Sequence, residues 1–251
     1  MTYIKAELFR FSKIRGLKNF LIAIFLLILA GNGYFILLNP LQDKPFILED
    51  LFYGFFMLSM MGLYLIFPLI TSTYSSKTNY INQQLTLTKL SSIRIYFIDS
   101  FNAFMLSSFL FSIWTIMIIV ISSLLFKMSP EVLSNSLDLR NFLVIQTVLL
   151  IAIGLSSVQA ISFQRIFKNN ILSTSFFILI NYVLALIFLQ FRYFSRIIEV
   201  FTYLFPMSLV SYFYKSNIDL KSYSIISLAI LVLTLMITTL VINVKEKNEF
   251  N

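Results

Sequence analysis

Six apolar runs, each close to twenty residues long and separated by short polar segments, dictate what this 251-residue chain can fold into. They cover residues 20–38, 51–70, 101–126, 142–163, 171–191 and 223–244, and their middles contain no Asp, Glu, Lys or Arg. A helix rises 1.5 Å per residue, so about 20 residues cross a hydrocarbon core of roughly 30 Å. No water is available there to satisfy backbone N–H and C=O groups, and a helix satisfies them internally. The reading is an all-α, polytopic membrane protein with six transmembrane helices in a single domain. Charged residues make up only 12% of the chain, against about 25% in an average soluble domain, and no polar segment is long enough to fold independently.

The absence of both cysteine and histidine removes several kinds of chemistry. The chain has no disulfide, no thiolate or imidazole metal ligand, no cysteine nucleophile and no histidine base. Histidine-dependent intramembrane proteases and acyltransferases are thereby excluded, and no catalytic, cofactor or metal site is assigned. The net charge of +8 does not call for nucleic acid. The basic residues sit in short loops and near the N-terminus, where orientation and anionic lipid account for them.

Residues 1–18 carry Lys5, Arg10, Lys13, Arg15 and Lys18 against Glu7 alone, and Ile4, Leu8 and Phe11 share a helical face. This pattern predicts a helix lying on the membrane surface. Twelve of the nineteen Lys and Arg residues fall on the side that holds the N-terminus, the 71–97 loop, the turn with Arg165 and Lys168, and the tail with Lys245 and Lys247. The excess of positive charge places both termini in the cytoplasm. Residues 192–221 are too apolar for an ordinary outer loop and contain Pro206, which predicts a short helix pair dipping into the outer leaflet. A seventh span is the alternative reading.

Residues 71–97 form the largest loop on the predicted inner side. Ser75, Ser76, Thr78 and Asn79 suit the start of a short helix, along which Ile81, Leu85 and Thr88 share a face. Such a helix is either a solvated connector or a docking element for a cytoplasmic partner. The chain has no phosphate-cradling G-x-x-x-x-G-K-[ST] sequence, so ATP could drive it only through another subunit. Ion-coupled carriers normally keep ionisable groups inside the membrane. Here the polar groups within the spans are neutral: Asn32, Asn102, Gln146, Gln159, Asn181 and many Ser and Thr.

The opening MTYIKAELFRFSKIRGLKNFLIAIFLLIL, with its AEL-F-F-K-R spacing, resembles the start of ABC-2 type permeases, the membrane subunits of bacterial ABC transporters. Small permeases of bacitracin resistance and lantibiotic immunity, and related peptide exporters, are the subset it looks most like. That family carries E-x-x-x-G-T-hydrophobic and then L-x-x-x-P-hydrophobic-S-R after the second span. Here NYINQQLTLTKLSSIRIYFIDSF occupies the place; Leu85, Leu87, Lys89, Leu90, Ser92, Ile93 and Arg94 follow the pattern, while the glutamate, glycine and proline are absent. The proline-centred stretch 203–208 before the last span is also family-like.

The resemblance implies a bacterial plasma-membrane subunit that pairs with a second permease copy or paralogue above an ATPase dimer. ATP would be bound by the partner, and the cargo would be an amphipathic or antimicrobial peptide. Tyr80, Ile81, Gln84, Leu85, Thr88 and Lys89 would contact the ATPase, and Phe205 and Pro206 would form an outer gate. Two other readings stay open: a stand-alone membrane immunity or binding protein without an energy source, and an ion-coupled carrier.

Overall fold

The computed structural model describes residues 15–38, 48–59, 64–77, 92–128, 139–167, 169–214 and 218–249, and all regular structure among them is helical. In chain order the helices are α1 (Arg15–Leu37), α2 (Leu48–Leu58), α3 (Tyr64–Lys77), α4 (Ser92–Leu125), α5 (Leu139–Phe167), α6 (Asn170–Phe194), α7 (Arg196–Thr202), α8 (Pro206–Tyr214) and α9 (Leu220–Glu249). Five of them, α1, α4, α5, α6 and α9, are long and apolar enough to cross a membrane. The described residues of the predicted span 51–70 lie in α2 and α3, about 16 and 21 Å long at 1.5 Å per residue. Residues 60–63 between them, and 1–14 of the expected surface helix, lie outside the described residues.

Helix boundaries overrun the hydropathy boundaries because polar residues at a helix end keep the backbone pattern without adding apolar signal. Thus α3 continues through Thr71, Ser72, Ser75 and Ser76 to Lys77, and α4 begins at Ser92 rather than near residue 101. Ser75 and Ser76 sit in the last turns of a helix, not at the start of one. Only 78–91 of the expected 71–97 loop falls outside the described residues.

The chain divides into two compact units, Met1–Ser59 with Phe109–Gln146, and Met60–Ser108 with Thr147–Asn251. In the first, α1 and α2 meet where Gly31 lacks a side chain; a Cβ there would lie 2.7 Å from Cζ of Phe55. Phe55 packs edge-on against Trp114 of α4, with ring centroids 6.2 Å apart. The Trp114 indole, fully buried, donates its N–H to Ser59 Oγ at 2.9 Å. Lys127, just past α4, takes a left-handed conformation (φ 48°), which lets the Met128 N–H reach back to the Ser123 carbonyl at 3.0 Å and close the helix end.

In the second unit, α5 is the helix to which the others are tied. Half of its most apolar stretch is buried, against 22% for α6 and for α9. Small residues on it, among them Ala152, Gly154, Ser156, Ser157 and Ala160, allow close approach, and a Cβ on Gly154 would meet the Phe104 ring at 3.3 Å. Gly31 and Gly154 are therefore packing positions. Asp219 opens α9, where hydrogen bonds from the Ser222 hydroxyl and, at 3.1 Å, from the Ser222 N–H hold its carboxyl below the usual carboxylate range. Its contribution is fully present above the ordinary carboxylate pKa and is lost as pH falls through the lowered value.

The two glycines of α1 give a paired test. Gly31→Ala is expected to destabilise the protein by about 1–3 kcal/mol through overpacking against Phe55, with a red shift in Trp114 fluorescence. Gly33→Ala, which meets nothing within 4 Å, leaves both thermal unfolding and emission unchanged or slightly improves stability.

Candidate functional site

The end of the second unit from which residues 78–91 depart is bound together by charge and hydroxyl groups. Arg165, near the end of α5, donates from Nη2 to Oδ2 of Asp99 in the second turn of α4. The two side chains are 22% and 7% exposed, so the pair is mostly shielded from water. One turn earlier on each helix, Tyr96 and Ser162 join at 2.8 Å. The Ser162 proton goes to the Val158 carbonyl at 2.7 Å, which makes Tyr96 the donor. Lys245 of α9 donates to the Ile166 carbonyl, one of the carbonyls left open at a helix end. Ser173 of α6 reaches the Phe163 carbonyl at 3.1 Å. α4, α6 and α9 are thus all anchored to the last two turns of α5.

Further along the same unit, Thr71 of α3 and Ser107 of α4 meet at 2.9 Å, and Ser157 of α5 approaches Ser107 at 3.3 Å. At the far end of α5, Tyr223 of α9 donates to the Val148 carbonyl at 3.0 Å. Between these ties α4, α5 and α9 leave an open groove of about 550 Å³, lined chiefly by Phe97, Phe101, Phe104, Leu150, Leu228 and Leu231. Its volume lies within the usual range for small-ligand pockets. Ser100, Thr147, Ser224 and Ser227 are the polar members of its wall, which suits an apolar chain with a few hydrogen-bonding groups.

The predicted outer segment does contain a short helix pair, α7 and α8, joined through 203–205. Pro206 is the first residue of α8, where its missing N–H costs nothing and its fixed φ favours the helix, so the chain turns just before the proline. Phe205 is buried and stacks on Phe188 of α6 with centroids 5.3 Å apart, in a cluster with Ala185 and Met207. Ser208 donates to the Ala185 carbonyl at 3.1 Å. In α6 residues Leu179–Leu184 form a π-helical stretch that holds Asn181 fully buried. The polar Asn32 of α1 is likewise buried and donates to the Ile28 carbonyl of its own helix at 2.9 Å.

Tyr80, Ile81, Gln84, Leu85, Thr88 and Lys89 lie outside the described residues. Sequence reasoning missed the Asp99–Arg165 pair, although the signal was present: opposite charges stand at the same end of two consecutive helices, just beyond the apolar runs. Comparison with protein families, curated proteins and solved structures found no match.

Removing one partner of a shielded ion pair strands the other charge. Asp99→Ala and Arg165→Ala are each expected to cost about 3 kcal/mol, while the double variant costs less than the sum, as read by thermal unfolding in detergent. Additive losses would mean that the two groups act independently.

Proposed function

We propose that this chain is the membrane-spanning permease subunit of an ATP-driven exporter of the ABC-2 type, moving amphipathic or antimicrobial peptides, or a similar hydrophobic cargo, out of the cell or membrane. The single observation that carries the reading is the anchored end of the second unit. Residues 78–91 run directly between α3 and α4, and α4 is fastened to α5 within its first two turns by Tyr96 and Asp99. A push on 78–91 would enter α4 and pass to α5, and through Ile166 to α9, without a flexible joint among the described residues.

Several features support the rest. The charge distribution favours both termini in the cytoplasm of a bacterial cell, with six crossings and with α7 and α8 re-entrant at the outer face. The chain lacks a phosphate-cradling loop, so the ATP belongs to a partner ATPase dimer, and a second copy or paralogue of this chain completes the pathway. Tyr80, Ile81, Gln84, Leu85, Thr88 and Lys89 are the proposed docking residues. ATP would shift the membrane half only if these contacts differ between the ATPase's open and closed states. The apolar groove along α5 suits the cargo's hydrophobic portion, and Phe205 with Pro206 are the proposed outer gate.

Co-expression with the ATPase encoded beside this chain provides the test. The ATPase is expected to co-purify, and Leu85→Asp to abolish both co-purification and peptide export while leaving membrane insertion intact. Protection against the peptide that survives a dead ATPase would instead favour a stand-alone binding protein.

A further inference from the structure

At the opposite end of α6 the chemistry changes from apolar to cationic. The last turn, Arg192–Phe194, tightens to a 3₁₀ form, and Ser195 then adopts an extended backbone that starts α7. A cavity of about 730 Å³ opens there, lined by Arg192, Arg196, Glu199, Tyr203 and Tyr212 together with Tyr193 and Ser195. Its wall is mostly polar, unlike the groove along α5.

Arg192 sits at the centre. Its guanidinium carbon lies 4.5 Å from the Tyr193 ring centroid and 5.0 Å from that of Tyr212, and Nη2 donates to the Tyr193 hydroxyl. Nε and Nη1 are shielded from solvent and find no acceptor among the described residues. A guanidinium is never deprotonated, so two nitrogens of a permanent cation are held out of water and left unsatisfied by protein. Each fork of a guanidinium that matches two oxygens of a phosphate includes Nη2; one Nη2 proton goes to Tyr193, and the other completes a fork with the unsatisfied nitrogen beside it. The Thr202 proton goes to the Glu199 carbonyl, so Tyr212 donates to Thr202 Oγ1 at 3.1 Å and is held beside Arg192, while Arg196 supplies a second cation and further donors. Burial beside Tyr212 pushes the Tyr203 hydroxyl up from its ordinary value, so it too remains a donor at neutral pH.

The surroundings specify where the phosphate comes from. Tyr193, Phe194, Ile197 and Val200 are between 65% and 81% exposed, and they follow a helix long and apolar enough to cross a membrane. Aromatic and apolar side chains exposed at such a boundary belong at headgroup level. Glu199, in the same cavity as three tyrosines, suits an ammonium group, which carboxylate and aromatic faces both attract.

The geometry points to a phospholipid site: the phosphodiester of an amine-bearing headgroup on Arg192 and Arg196, its ammonium toward Glu199, its acyl chains along the exposed face of residues 193–200. This assignment is independent of the exporter reading, since it needs only a membrane surface at the end of α6.

Native mass spectrometry of the full chain, released from detergent and titrated with phosphatidylethanolamine, phosphatidylglycerol or inorganic phosphate, tests it. The wild type is expected to hold one phosphatidylethanolamine in preference to phosphatidylglycerol, with inorganic phosphate failing to displace it. Arg192→Gln should weaken that binding about tenfold or more, and Arg192→Lys, which keeps the charge but loses the fork, should fall between. Glu199→Gln should erase the preference between the two lipids. Unchanged helical content and thermal unfolding distinguish lost binding from lost folding; a variant that fails this control is replaced by Arg196→Gln, for which weakened binding is again expected. Undiminished lipid retention in a folded Arg192→Gln or Arg196→Gln variant overturns the proposal. So do a preference for phosphatidylglycerol and full displacement by inorganic phosphate, the latter marking a free-anion site.

Discussion

The structure of the second unit depends on hydrogen bonds and one ion pair converging on α5. Lipid tails are as apolar as leucine side chains, so burying a leucine between two helices in a bilayer gains little from the hydrophobic effect. What holds helices together there is close packing and polar contact. Both are concentrated on α5: Gly154 and its small neighbours let Phe104 approach, and the hydroxyls and carbonyls of Val148, Ser157, Ser162, Phe163 and Ile166 each meet a group from another helix. The Asp99–Arg165 pair is the costliest of these contacts to break, because neither charge could find water easily if the other were lost. Net gain from such a pair is small; its effect is to fix the register of α4 against α5.

That arrangement gives the unit two chemically distinct ends. One is a cationic and hydroxyl-rich knot formed by α4, α5, α6 and α9, beside the segment proposed to dock an ATPase. At the other, α6, α7 and α8 surround a guanidinium with tyrosines, and Phe205 stacks on Phe188. The groove along α5 runs between ties at both ends, Tyr96–Ser162 and Tyr223–Val148. An apolar chain lying in it would touch α5 and the two helices, α4 and α9, that are fixed to it.

Much of this was legible in the sequence, for a definite reason. Five apolar runs correspond to five long helices because twenty apolar residues leave the backbone no better option in a bilayer. Pro206 stands where the segment breaks into two short helices, though it opens a helix instead of interrupting one. Asp99 and Arg165 escaped because each lies outside its apolar run, and a hydropathy reading assigns such residues to loops. The π-helical stretch around Asn181 has no sequence signature at all. In the sequence Arg192 is a lone cation beside Tyr193; that Tyr212, twenty residues further on, also flanks it is visible only in the structure.

The central claim is that the segment joining α3 to α4 faces the cytoplasm and receives mechanical work there. The chain has no native cysteine, so a single Leu85→Cys substitution reports without background. The account predicts labelling by a membrane-impermeant maleimide in inside-out vesicles, no labelling in intact cells, and protection when the ATPase is bound. Labelling from outside intact cells would contradict it.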